Sequence, residues 1–185
     1  MVTDAAADGG TVADFLDRLA ARSPTPAGGS VAALCTAQAA ALVAMVARYC
    51  EAEPLAEQAM RLVERGQQLA RDDEKAFSAV AAAWALPRGT ADDNHARRAA
   101  IDEALLHAAE PQARVVETAV EVLVLSDRLK PLARRGLLAD LVAAGEVARA
   151  GAAIARMNVE SNLRALPTSE ERSGLLRRMG VGRRD

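Results

Sequence analysis

Along the chain, apolar positions recur at helical spacing and never alternate over a useful length. The longest uncharged run, Val31 to Ala47, has no polar side. Val31, Leu34, Cys35, Gln38, Leu42, Met45, Val46 and Tyr49 form one stripe, and Ala32, Ala33, Thr36, Ala37, Ala40, Ala41, Ala44 and Ala47 fill the other sides. A helix apolar all round is buried all round, so the run is predicted as the central helix of a bundle. At about 17 residues it lies at the lower limit for a membrane span. It is mostly weakly hydrophobic Ala and no second span follows, so no membrane is expected.

Just before it, Ser23-Pro-Thr-Pro-Ala-Gly-Gly-Ser30 is predicted as a loop. Pro24 and Pro26 forbid regular structure, while Gly28 and Gly29 admit positive φ and let another group approach bare backbone. Ser30 is then expected as the N-cap of a helix opening at Val31. Upstream, Thr11 and Asp14 read as a capping pair for a short helix to Ala21, with Val12, Phe15, Leu16 and Leu19 on one face. Downstream, Pro54 opens a long helix from Leu55 to about Leu86. Another starts after Thr90 and reaches Glu110, where Pro111 either begins a new helix or kinks a continuous one. Val115, Val116, Ala119, Val122, Leu123 and Ser126 form the inner face of the segment that Lys130 and Pro131 close. A last major helix runs from about Leu137 to Ala165, and a short one from Glu170 to Met179. The expected fold is an all-α bundle of about five to six helices around a buried central helix. One domain spans 11–179, between a flexible tail at 1–10 and a basic tail at 180–185.

Composition narrows the function. A chain of 185 residues suits one domain, and a net charge of −2 with pI ≈ 5.8 gives no electrostatic footprint for nucleic acid. Aromatic residues make up only 2%, which removes stacking platforms and leaves a core of Ala, Leu and Val. At roughly 25 cal/mol per Å² of buried apolar surface, such a thin bundle gains most by sharing faces with a second copy, so a homodimer is expected. The N-terminus has no basic segment followed by an apolar run, so no signal peptide is expected. Cys35 and Cys50 are too far apart for a disulfide within one helix, at roughly 22 Å. Together these point to a cytoplasmic protein.

The candidate chemistry is sparse. His95 and His107 fall about 120° apart around one helix, so no metal site is expected. The glycine loop lacks the Lys-Ser/Thr pair of a phosphate loop, and Ser30 has no local histidine to activate it, although N–H groups beside it suit a ligand's polar edge. Asp73 shares one side of its helix with Phe77, Val80 and Trp84, yet Arg71, Asp72, Glu74 and Lys75 flank it. A site carboxylate and a solvated ion-pair face both fit that pattern. Asp140 suits the positive end of a helix. It shares a stripe with Ala144, Val147, Gly151, Ile154, Asn158 and Asn162, but Asp140 and Asn158 stand roughly 27 Å apart and cannot meet at one atom. They serve either two ends of an extended ligand or two sites related by symmetry.

Phe15-Leu-Asp-Arg-Leu-Ala, Ser23-Pro-Thr-Pro-Ala-Gly-Gly-Ser30-Val-Ala-Ala, Asp73-Glu-Lys-Ala-Phe77, Leu86-Pro-Arg-Gly89 and Asn158-Val-Glu-Ser-Asn162 resemble, in this order, the formiminotransferase-cyclodeaminase C-terminal family. That family includes formiminotetrahydrofolate cyclodeaminase and methenyltetrahydrofolate cyclohydrolase. The resemblance runs from about Val12 to Leu166 and implies an all-helical homodimer that takes a tetrahydrofolate derivative as substrate, with no bound cofactor, in a cleft near the dimer interface. It implies catalytic carboxylates at Asp73 and Asp140, with Pro26, Gly28, Gly29, Ser30, Asn158 and Asn162 holding the pterin or its one-carbon unit. Two segments depart from the family pattern. Arg48-Tyr-Cys-Glu-Ala-Glu-Pro54 stands where a Lys-rich segment is common, and Arg134-Arg-Gly-Leu-Leu-Ala-Asp140 keeps the Asp of an Asn-Pro-x-x-x-Ser-Asp loop while losing its Asn, Pro and Ser. The alternatives are a divergent homologue acting on another amidine or imine, or a dimer that binds its ligand without turnover.

Overall fold

The computed structural model describes residues 10–164 and 166–179; apart from Gly10, the two expected tails lie outside the described residues. Six α-helices follow in chain order, and no strand occurs among the described residues. They are α1 (Val12–Ala20), α2 (Gly28–Tyr49), α3 (Glu53–Trp84), α4 (Ala91–Leu129), α5 (Leu138–Leu163) and α6 (Glu170–Arg178), with a 3₁₀ turn at Arg135–Leu137. Helices α2 to α5 form an antiparallel bundle in which each packs on the next and α5 closes back on α2. Helices α2 and α4 also meet across the diagonal, and α6 lies on α4 and α5.

Local chemistry sets the helix ends. Thr11 with Asp14, and Thr90 with Asp93, each form a capping box, so two of the free N–H groups at each start are satisfied reciprocally. Pro111 lies inside α4, which runs unbroken through it. Proline removes one bond to the carbonyl four residues back. The buried neighbours Ala108, Ala109, Gln112 and Ala113 hold the helix together across that gap.

Two expectations about the central helix are corrected. The first turn of α2 begins at Gly28, with the Val31 N–H donating to the Ala27 carbonyl at 3.1 Å. Ser30 is therefore the third helical residue and not the N-cap; the cap position is Ala27, whose methyl side chain has no acceptor to offer. The Gly28-Gly29 pair is wound into the helix rather than held at positive φ.

The helix is also not covered all round within one chain. Its Ala side is buried, with Ala32, Ala33, Ala40, Ala44 and Ala47 fully covered, whereas Val31, Leu34, Cys35, Leu42 and Met45 are half-buried or exposed and Tyr49 is exposed. The small residues face inward because neighbouring backbones come close there. A methyl built on Gly66 of α3 would stand 2.9 Å from the Ala37 Cβ, and one on Gly151 of α5 would stand 2.8 Å from the Ala32 carbonyl oxygen. Helix α2 is long and apolar enough to cross a membrane by length and composition, but more than half of that stretch is buried inside the bundle.

At about 1.5 Å per residue, α3 and α4 run roughly 48 and 58 Å against about 33 Å for α2, so they project past its N-terminus. In that projecting pair, Phe77 and Trp84 meet edge to face with centroids 5.7 Å apart. Helix α1 has no buried residue, and an Arg18–Glu74 ion pair at 3.4 Å links it to the bundle. Both cysteines are free.

Candidate active site

The first N–H groups of α2 have no intrahelical carbonyl to meet, the positive end of the helix dipole lies there, and the Ala27 side chain cannot cap them; the Ser30 N–H donates to Asp73 instead. Asp73 of α3 approaches it from across the bundle. Its Oδ2 accepts a hydrogen bond from Ser30 Oγ at 3.1 Å, and its Oδ1 accepts one from Gln112 Nε2 of α4 at 2.7 Å. The carboxylate lies directly against Gly29: a methyl built there would stand 2.5 Å from the Asp73 Cγ. Gly29 is thus required for the approach of a carboxylate and not for an unusual backbone angle. The solvated ion-pair reading of Asp73 is set aside, since the residue is only 9% exposed and Ser30 is fully buried.

Burial pushes the Asp73 carboxyl above the usual carboxylate range, opposed by the Ser30 and Gln112 hydrogen bonds and reinforced by the charge of Glu74. Desolvation and donors that favour the charged form act against each other here, and desolvation is the larger of the two. Such a group can accept a proton from water or return one to a leaving nitrogen.

The remaining predicted residues divide by their distance from this carboxylate. Pro26 is buried in the loop leading to α2, which contains a cis Thr25–Pro26 peptide bond. Asn158 of α5 faces Gly28, its amide 3.8 and 3.9 Å from the position of a Gly28 Cβ. Asn162 lies half-buried one turn further on. Asp140 sits in the first turn of α5, next to Leu141, which packs with Val46, Ala47 and Leu129 at the opposite end of the bundle. One chain does not bring Asp140 to Asp73. Gln112 is the site residue that sequence reasoning misses. It continues the inner stripe of α4 one turn back from Val115 and Val116, which is the signal that points to it.

Two surface grooves, of about 360 and 380 Å³, lie along the α3–α4 seam. The first is lined by Arg61, Arg65, Val124 and Arg128 among others, and the second by Lys75, His107 and Arg114 among others. Neither includes Asp73, so neither is the site of its chemistry. No cluster of three metal-ligating side chains occurs among the described residues.

Known proteins resemble the chain over this whole architecture. The formiminotransferase-cyclodeaminase family model matches residues 11–180. A methenyltetrahydrofolate cyclohydrolase from Methylorubrum extorquens is 34% identical, over 92% of this chain and 91% of its own length. The formimidoyltransferase-cyclodeaminase of Rattus norvegicus is 29% identical over 81% of this chain, which spans only 30% of that longer protein. The crystal structure of a formiminotetrahydrofolate cyclodeaminase from Thermotoga maritima superposes with a TM-score of 0.80 at 24% identity, over 92% of this chain and 86% of that one, a likeness of fold. With a family match that takes in the Gly29–Asp73 site and a relative similar over nearly its full length, the chain belongs to the formiminotransferase-cyclodeaminase family and is an enzyme of its cyclohydrolase or cyclodeaminase type.

Proposed function

We propose that this enzyme hydrolyses the methenyl bridge of methenyltetrahydrofolate, with Asp73 as the group that takes the proton from water. The observation that carries the mechanism is the buried Asp73 carboxylate packed on Gly29 at the start of α2, where burial raises its proton affinity. The choice of substrate is supported by the cyclohydrolase that aligns over nearly all of both chains. Water adds to the methenyl carbon, the C=N π electrons move to nitrogen, and Asp73 removes a water proton. Asp73 then returns that proton to the ring nitrogen as its bond to carbon breaks, leaving a formyl group. The chemistry calls for no bound cofactor. Pro26, Gly28, Gly29, Ser30, Asn158 and Asn162 hold the pterin and its one-carbon unit. Ring closure with loss of ammonia from a formimino group uses the same proton-transfer site.

The assembly in this proposal is a homodimer, working in the cytoplasm. Its support is the incompletely covered outer stripe of α2, Val31, Leu34, Cys35, Leu42 and Met45, which a second α2 running antiparallel would cover. That arrangement brings one chain's Asp140 end beside the partner's Asp73 end, which gives Asp140 a role that one chain alone denies it. The test follows loss of methenyltetrahydrofolate absorbance, with sedimentation of the same sample. We expect hydrolysis well above the spontaneous rate at equal pH, by a stable dimer. A rate no faster than the spontaneous one overturns the substrate, and a folded monomer that turns over overturns the shared site.

A further inference from the structure

Gln112 is 1% exposed, in the middle of α4, on a stripe otherwise made of Ala108, Val115, Val116 and Ala119. Leu or Met would fill that space without burying an amide, and a buried amide is unfavourable unless both of its ends are hydrogen-bonded. Only one end is. Nε2 donates to Asp73, while Oε1 is buried with no hydrogen-bond partner among the described residues. The orientation is fixed by chemistry, because an ionised carboxylate accepts only and so draws the amide NH₂ toward itself. The bare acceptor is therefore held on the same amide that grips the carboxylate, one amide width from its donor nitrogen. We infer that Gln112 Oε1 is the second acceptor for the attacking water: Asp73 takes one hydrogen and Gln112 holds the other, so that the water's lone pair is aimed at the methenyl carbon. This rests on the hydrolytic reading above.

The step balances. As the C–O bond forms, the O–H bond directed at Asp73 breaks and its proton moves to the carboxylate. The hydrogen held by Gln112 stays on oxygen in the carbinolamine and is lost to solvent as the formyl C=O forms. Asp73 meanwhile protonates the departing nitrogen. Gln112 never takes a proton; it orients one.

Two variants separate this role from packing. In Gln112→Met, which keeps the volume, we expect unchanged circular dichroism, kcat lower by about tenfold or more, and a KM close to wild type. The acid limb of its pH–rate profile should move to higher pH, because a donor that favours charged Asp73 is gone. In Gln112→Glu, a protonated carboxyl reproduces both the donor and the acceptor, so activity should survive at low pH and fall as pH rises. Wild-type kcat and an unmoved acid limb in Gln112→Met would reduce Gln112 to a space-filler. If that variant does not fold, a Gln112→Glu profile parallel to wild type overturns the role equally. Wild-type enzyme that fails to exceed spontaneous hydrolysis is a different outcome, and it overturns the hydrolytic reading and this one together.

Discussion

Gly29 and Gly151 both lie where another group comes within van der Waals distance of bare backbone, and what they face differs. Gly151 on α5 faces the Ala32 carbonyl oxygen and the Thr36 hydroxyl, each 2.8 Å from a built methyl, and that hydroxyl is already bonded to the Ala32 carbonyl at 3.0 Å. Those polar groups are already matched, so the contact serves close packing of α5 on α2. Gly29 faces a carboxylate whose proton affinity is raised and whose partner Gln112 keeps an unmatched acceptor. The same steric requirement thus supports helix packing in one place and a reactive group in the other, and the difference lies in whether the polar groups opposite are already satisfied.

The largest effect should come from Gly29→Ala, which forces the Asp73 side chain out of its place. Turnover should fall by about 10²-fold or more, well beyond any loss of melting temperature. Equal turnover would make Gly29 a packing glycine like Gly151. Gly151→Ala should do the reverse, costing about 1–3 kcal/mol of stability through overpacking while the folded fraction keeps its kcat. Thermal unfolding beside the hydrolysis assay reads both, and a kcat loss at constant fold would break the distinction.

The smallest effect concerns Asp73→Asn and pH. The folded pKa of Asp73 lies above its unfolded value, so the folded state holds the proton more tightly. Wild-type stability from this group is therefore present at low pH and is lost as pH rises from about 4 through the raised pKa. Asn does not titrate, so the melting-temperature difference should shift in favour of Asp73→Asn as pH rises. A shift in favour of wild type would mean that the carboxylate is held for its charge.

Much of this is legible in the sequence. The capping pair at Thr11, the helix start after Thr90, the length of α3 and the inner stripe from Val115 to Ser126 all follow from spacing. Asp73 is legible only in part: Phe77, Val80 and Trp84 share its helix side, but its charged neighbours in sequence fit a solvated face equally, and only its burial separates the two. The start of α2 is not legible, because Gly-Gly after two prolines resembles a loop, and only the carboxylate arriving from α3 explains why position 29 carries no side chain. The bond from Gln112 joins residues 39 apart in sequence on different helices, and no local pattern encodes it. The outward turn of the larger α2 residues is hidden for a related reason: when every side is apolar, spacing alone does not say which side the neighbours choose.

Gly29 comes from α2, Asp73 from α3, Gln112 from α4 and Asn158 from α5, one contribution from each helix of the bundle. No fragment lacking one of these helices retains the constellation, so the site exists only in the globally folded population. A ligand held there draws on the cooperative unfolding equilibrium of the whole domain rather than on a local opening. At a free concentration about one hundred times its Kd it adds about 2.7 kcal/mol to the global free energy of unfolding. Amides in all four helices, including the distant ends of α2 and α5, should then slow their hydrogen exchange together wherever exchange proceeds by global unfolding.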